Sequence, residues 1–143
     1  MSCFTNDLMQ HKVALVTGGG TGIGKGIATA LGCHGAKVVI SSRKQAVLDA
    51  TRAELEALGI ECLALSCDIR QPETVEAVMA AILERWGRLD IVVNNAAGNF
   101  PARIEDLSYN AFKTVIDIDL QGTFNVTRAA FGAYLKAHGG VVI

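Results

Sequence analysis

Thr17-Gly18-Gly19-Gly20-Thr21-Gly22-Ile23-Gly24 follows directly on the apolar run Val13-Ala14-Leu15-Val16. The juxtaposition puts a strand end, a backbone with few side chains and a helix start in one short stretch. A bound pyrophosphate needs that combination. Glycine lets the main chain approach the phosphates and tolerates positive φ, while the unpaired N–H groups and dipole of the following helix offset negative charge. The stretch therefore reads as a dinucleotide site. An NTPase loop is the competing reading, because Gly19, Gly24 and Lys25 have G-x-x-x-x-G-K spacing. The next residue is Gly26, however, which lacks the serine or threonine hydroxyl that would hold magnesium.

Outward from the loop, strand and helix alternate with short connections. Strand one covers residues 12–17, and a helix from 22 to about 34 repeats Ile23, Ile27, Ala30 and Leu31 at helical spacing before Gly35 ends it. Strand two covers 37–41. The helix over 44–58 places Val47, Leu48, Thr51, Leu55 and Leu58 on one side, with Gly59 as its stop. Strand three covers 61–66. Pro72 opens a third helix, where it costs no hydrogen bond, and Val75, Val78, Met79, Ile82 and Trp86 form its buried stripe. Strand four covers 89–94. After a loop over about 95–107, Ser108 caps a long helix that ends near Gly139-Gly140, and Val141-Val142-Ile143 begins strand five. Such alternation specifies an α/β fold, a doubly wound parallel sheet of the Rossmann type. Because the chain stops inside an element, residues 1–143 are expected to be the N-terminal portion of a larger dinucleotide-binding domain.

Composition fits a globular domain. Half the residues are apolar and the net charge is −1, so no basic stripe invites nucleic acid or an anionic membrane. No apolar run reaches the roughly 20 residues of a membrane span, and residues 1–11 lack a signal-peptide core. A cytoplasmic location is expected, with a peroxisomal one left open. Cys3, Cys33, Cys62 and Cys67 form no C-x-x-C pair and lie near no histidine at ligand spacing, which predicts reduced, mostly packed thiols and no metal. His11, His34 and His138 fall beside predicted element ends and are weak candidates for a catalytic base.

The strict G-x-G-x-x-G pattern is absent, and Thr17 with Gly18-x-x-x-Gly22-x-Gly24 resembles the short-chain dehydrogenase/reductase family. Three further segments extend the resemblance over nearly the whole chain: Asp68 after strand three, Asn94-Asn95-Ala96-Ala97-Gly98 closing strand four, and Leu120-x-Gly122 in the long helix. The resemblance implies that Thr17, Gly18, Gly20, Thr21, Gly22, Ile23 and Gly24 hold a nicotinamide dinucleotide. Asp68, beside Ile69, would receive the adenine amino group. Asn94 and Ala96 belong to the segment whose asparagine braces the sheet and whose backbone borders the nicotinamide ribose. At the end of strand two, where a carboxylate would accept the ribose hydroxyls of NAD, the sequence reads Ser41-Ser42-Arg43-Lys44. Two cations without a carboxylate favour a 2′-phosphate, hence NADP(H), unless Arg43 and Lys44 are merely solvated.

Within the family, residues 94–100, with Leu107-Ser108-Tyr109-Asn110-Ala111-Phe112-Lys113-Thr114 and Asp117-Ile118-Asp119, are similar to the 2,4-dienoyl-CoA reductases, especially the peroxisomal type. This implies an acyl-CoA substrate, with Asn99 at its reacting end, Phe100 along the acyl chain and Ser108 at a contact position. Helical geometry offers a separate view of Asp119. At 100° per residue it falls amid Phe112, Val115, Ile116, Thr123, Val126 and Ala130, and Asp117 points nearly the other way. A carboxylate on an apolar face must be paired, protonated or functional. The resemblance assigns it proton delivery through water, where most of the family carries asparagine.

The implied reaction is hydride transfer from NADPH to the distal carbon of a conjugated dienoyl thioester. The thioester oxygen is then held by a group such as Asn99, and the α carbon is protonated by a water near Asp119. Arg43, Lys44 and Arg70 are candidates for coenzyme A phosphates. Tyr109 and Lys113 have the family's Tyr-x-x-x-Lys spacing but precede the long helix's core stripe, so the match reads as coincidence. The family's pair follows strand five, and residues 1–143 alone are not expected to turn over. Two alternatives stay open: an enoyl- or 3-oxoacyl-thioester reductase, and a non-catalytic NADP-binding domain. The resemblance further implies a homo-oligomer, dimer or tetramer, through the helix after Ser108.

Overall fold

The computed structural model of the protein describes residues 5–143. Strands β1 (Val13–Thr17), β2 (Lys37–Ser42), β3 (Cys62–Ser66), β4 (Ile91–Val93) and β5 (Val141–Val142) form one parallel sheet in the order β3-β2-β1-β4-β5. Helices α1 (Gly22–Cys33), α2 (Gln45–Ala57) and α3 (Pro72–Trp86) link the first four strands, and α4, a continuous helix over 109–138, links β4 to β5. Side chains along a strand alternate between faces, and β1 shows the consequence. Val13 and Leu15 pack with Val75, Val78 and Ile82 of α3 and with Val126 and Ala130 of α4. Val16 faces Ala28 of α1 and Leu48 and Leu55 of α2. Both faces are thus covered, which makes the sheet the doubly wound Rossmann arrangement that the alternation predicts. Full burial of each Leu or Val stabilises by about 1.5–3 kcal/mol.

Asp90, just ahead of β4, ties the sheet together at its other end. Its carboxylate accepts from the Val13 N–H at 2.9 Å and from Arg88 Nε at 2.9 Å. Burial works to raise its pKa, but Arg88 and the Val13 N–H outweigh it and hold the carboxyl below its ordinary value. Among the described residues no helix is long and apolar enough to cross a membrane.

Three expectations need correction. In α1, Ile23 is 79% exposed, and the buried positions are Gly24 and Ala28, because the helix lays its smallest residues against the sheet. In α2, Leu58 is exposed beyond the last turn. In α4, the 100° count does not hold through, since π-helical turns at Asp117–Gly122 and Phe131–Leu135 advance less per residue. The face that packs is therefore Gly122, Val126, Ala130 and Leu135, while Phe112 is 57% exposed and Asp119 is also exposed. Of the cysteines, Cys33 is exposed, whereas burial pushes the Cys62 thiol up to about 11 and raises Cys67 as well. Cys3 lies outside the described residues.

Candidate functional site

Strand order reverses between β2 and β4 around β1, and the crevice at such a reversal, beyond the strands' C-terminal ends, is where this architecture binds ligands. A cleft of about 520 Å³ opens there. The glycine loop forms its floor. Gly18 has φ +65° and donates from its N–H to the Ser41 carbonyl at 2.7 Å. A Cβ on Gly24 would lie 2.4 Å from both Asn95 Nδ2 and the Gly18 carbonyl oxygen, so only hydrogen fits. Gly22, with φ +53°, has open space where a Cβ would stand. Thr21 precedes α1 without a side-chain cap, so the helix's first N–H groups remain available to an anion. A bare, close-approach backbone at an uncapped helix N-terminus fits a pyrophosphate.

The loop is braced from below and behind. Thr17 is buried; its hydroxyl donates to the Val93 carbonyl (3.2 Å) and accepts from the N–H groups of Asn95 (3.1 Å) and Ala96 (3.0 Å). Asn95 Nδ2 donates to the Thr17 carbonyl at 2.9 Å and reaches the Gly18 carbonyl at 3.4 Å. Thr51 of α2 donates to the Gly20 carbonyl at 2.7 Å. These bonds join β1, β4 and α2 to the loop.

Gly18, Gly20, Thr21, Gly22, Ile23, Gly24, Arg43, Asp68, Ile69 and Ala96 all line this cleft. Two anticipated residues do not. Thr17 sits beneath the loop, and Asn94 turns to α4, donating from Nδ2 to Thr127 Oγ1 at 3.2 Å. Residues not singled out for the site, Asn95, Val47, Cys67, Ala97 and Ile118, also line it. Asn95 is the second of two adjacent asparagines at the end of β4; which of the two faces the loop depends on where β4 ends, and the sequence does not mark that.

At the β2–β3 end of the cleft, Arg70 Nε lies 2.9 Å and 3.2 Å from the two carboxylate oxygens of Asp68, and the Arg70 N–H adds a bond at 3.1 Å. The Arg70 guanidinium beside it holds the Asp68 carboxyl below its ordinary value, with Arg43 contributing at longer range. Ser41, Ser42, Arg43 and Lys44 complete that wall.

At the other end, residues 94–108 run without regular structure until Ser108 caps α4, its hydroxyl accepting from the Ala111 N–H at 3.1 Å. Asp119 accepts from the Gly98 N–H at 2.9 Å. That bond brings the carboxylate beside the loop carrying Asn99 and Phe100, both exposed and outside the cleft's lining. Asp119 is thus not desolvated within the core. Tyr109 is 97% exposed in α4's first turn and Lys113 donates to Asp117 at 2.6 Å, so this pair takes no part in the cleft. Among the described residues no group of three or more His, Cys, Asp or Glu could hold a metal.

The family model described as short chain dehydrogenase matches residues 12–143. The peroxisomal 2,4-dienoyl-CoA reductase of Pongo abelii is 48% identical over 141 residues, covering 98% of this chain and 48% of that protein. Among solved structures, the citronellol catabolism dehydrogenase of Pseudomonas aeruginosa PAO1 superposes with TM-score 0.93 at 35% identity, over 99% of this chain and 58% of the other. The alcohol dehydrogenase of the archaeon Thermococcus sibiricus, complexed with 5-hydroxy-NADP, superposes with TM-score 0.85 at 34% identity, over 92% and 56%. The chain spans about half the length of the curated relatives it matches. Sequence and fold agree over nearly all its residues, and the chain belongs to the short-chain dehydrogenase/reductase family.

Proposed function

We propose that the protein is an NADPH-dependent oxidoreductase of unsaturated acyl-CoA thioesters, specifically a 2,4-dienoyl-CoA reductase. One observation carries the substrate reading: the Asp119 carboxylate is bonded to Gly98 at the end of the cleft, directly beside Asn99 and Phe100. Relatives named as 2,4-dienoyl-CoA reductases add support.

In this reading Gly18, Gly20, Thr21, Gly22, Ile23 and Gly24 hold the pyrophosphate, Asp68 and Ile69 border the adenine, and Ala96 borders the nicotinamide ribose. Thr17 and Asn94 act from behind the wall. Arg43, with Lys44, faces the 2′-phosphate, and the NADP-type ligand of the Thermococcus sibiricus neighbour is in keeping with that choice. When bound, the nicotinamide supplies hydride. Asn99 hydrogen-bonds the thioester oxygen, Phe100 lies along the acyl chain, and Ser108 contacts the substrate from the start of α4. Asp119 orients the water that delivers a proton to the α carbon. With Lys44 at the 2′-phosphate and Arg70 engaged by Asp68, neither is assigned to a coenzyme A phosphate.

The exposed apolar side chains of α4, Phe112, Ile116, Leu120, Phe124 and Phe131, support a homo-oligomer built through that helix. Sedimentation of the complete protein checks this, and a monomer at micromolar concentration would count against it.

The activity test follows NADPH absorbance with 2,4-dienoyl-, 2-enoyl- and 3-oxoacyl-CoA. Preferential consumption with the dienoyl thioester is expected. Faster turnover of a 3-oxoacyl thioester would replace this reading with that of an ordinary ketoreductase, and NADH bound as tightly as NADPH would overturn the cofactor assignment.

A further inference from the structure

The turn over 67–70 connects β3 to α3 and supplies Cys67, Asp68 and Ile69 to the adenine end of the cleft. Its carbonyls are held from outside the cleft. Thr74 Oγ1 and the Gln71 N–H donate to the Asp68 carbonyl at 2.8 Å and 2.9 Å, both from the start of α3 itself. The Ile69 carbonyl is held from elsewhere: Asn125 Nδ2 donates to it at 2.9 Å from α4. α4 comes close enough because Gly122 is buried against Ile69, where a Cβ would lie 2.5 Å from Ile69 Cδ1. Asn125 is a half-buried polar residue beside buried Val126, and it lies outside the cleft's lining. The helix that presents Asp119 to Gly98 thereby also grips the opposite end of the cleft, with the π-helical turn Asp117–Gly122 setting the rotation between the two contacts.

We infer that Asn125 is a positioning residue for the adenine pocket, fixing the Ile69 carbonyl and with it the turn that presents Asp68. The inference rests on reading the cleft as a dinucleotide site. Loss of the bond weakens binding of the adenosine half of the cofactor and leaves the step at the nicotinamide end almost untouched.

The test uses the complete protein with Asn125→Leu, which removes the donor at similar size, and Asn125→Ser, whose hydroxyl is too short to reach. Calorimetry reads the affinities of NADPH and of 2′,5′-ADP, kcat is measured at saturating NADPH, and hydrogen exchange reports on residues 67–70. Both ligands should bind about three- to tenfold more weakly, the range of one ordinary hydrogen bond. The factor should be the same for the two, with kcat within about twofold and faster exchange in the turn. Leu135→Ala, which loosens α4 away from the turn, is the control and should lower Tm without changing 2′,5′-ADP affinity. Equal weakening in that control would assign the effect to general loosening and overturn the inference. So would wild-type affinity in Asn125→Ser, the deciding variant should Asn125→Leu not fold. If the unaltered protein binds neither ligand, the dinucleotide reading itself falls; if it binds both and the variants match it, only the role of Asn125 does.

Discussion

The two sides of the sheet's switch point are finished differently. On the β2–β3 side, β1 and β2 are sealed beneath α1 and α2, and polar side chains beside the cleft pair within the chain, Thr51 with Gly20 and Asp68 with Arg70. On the β4–β5 side, Val141 and Val142 are 52% and 42% exposed, and α4 turns Phe112, Leu120 and Phe124 outward. The candidates for chemistry, Asp119, Asn99 and Phe100, are exposed there too. In the proposed reading, local packing therefore shapes the cofactor half by itself. The half proposed to carry the reaction takes its dielectric environment from whatever covers α4 and the loop over 94–108, and apolar area in water costs about 25 cal/mol per Å² until it is covered.

The strongest way to break this comparison is Asp119→Ala in the complete protein. If the two halves are separable, kcat should fall about 10²-fold or more while NADPH affinity moves by less than about threefold. Asp119→Asn sharpens the result, because an amide oxygen can still accept from the Gly98 N–H but takes up no proton. Recovery of turnover by the amide would reduce Asp119 to a staple for the loop. On the cofactor half, Arg43→Ala should weaken NADPH about tenfold, the scale of a charge-assisted hydrogen bond, and leave NADH nearly unchanged. A parallel loss for both nucleotides would move the 2′-phosphate contact elsewhere.

Legibility in the sequence follows the same division. The glycine loop, the strand alternation and the caps at Ser108 and Gly59 are encoded within a few residues of one another, so spacing alone places them. Ile23 misled because the first turn of α1 borders the cleft, which frees an apolar side chain from the core. Asp119 misled because a π-helical turn begins two residues before it, and no composition signal marks a π turn. The choice between Asn94 and Asn95 depends on a strand three residues long. Where a residue's role depends on a distant element, as with Asn125 and Ile69 or Thr17 and Ala96, one-dimensional periodicity carries no trace of it.

Smaller effects probe the bracing that keeps the cofactor half closed. Thr17→Val keeps the shape but leaves the Asn95 and Ala96 N–H groups and the Val93 carbonyl without their hydroxyl, for a loss of about 1–3 kcal/mol in unfolding free energy. Gly24→Ala must push Asn95 or the Gly18 carbonyl aside, and overpacking of this kind costs about 1–3 kcal/mol. Both variants should weaken NADPH as well, since the same atoms set the loop. Denaturant unfolding with and without NADPH reads the two effects together, and a variant that lost stability yet bound normally would show that the loop does not need its brace.

The smallest effect lies at the seam between the halves. Asp90 accepts from the Val13 N–H through its carboxylate and from the Val141 N–H through its backbone carbonyl, so it joins β1, β4 and β5 at the end away from the cleft. Despite the opposing effect of burial, Arg88 and the Val13 N–H hold its carboxyl below the ordinary value. A carboxylate with a depressed folded pKa contributes stability that is present above its unfolded pKa, near about 4, and is lost as pH falls through the folded value. Asp90→Asn should therefore be less stable than the parent at neutral pH, with the gap closing as the pH is lowered below about 4. A gap constant across that range would show that geometry rather than charge holds the seam. NADPH affinity should stay unchanged, because the seam and the cleft occupy opposite ends of the same strands.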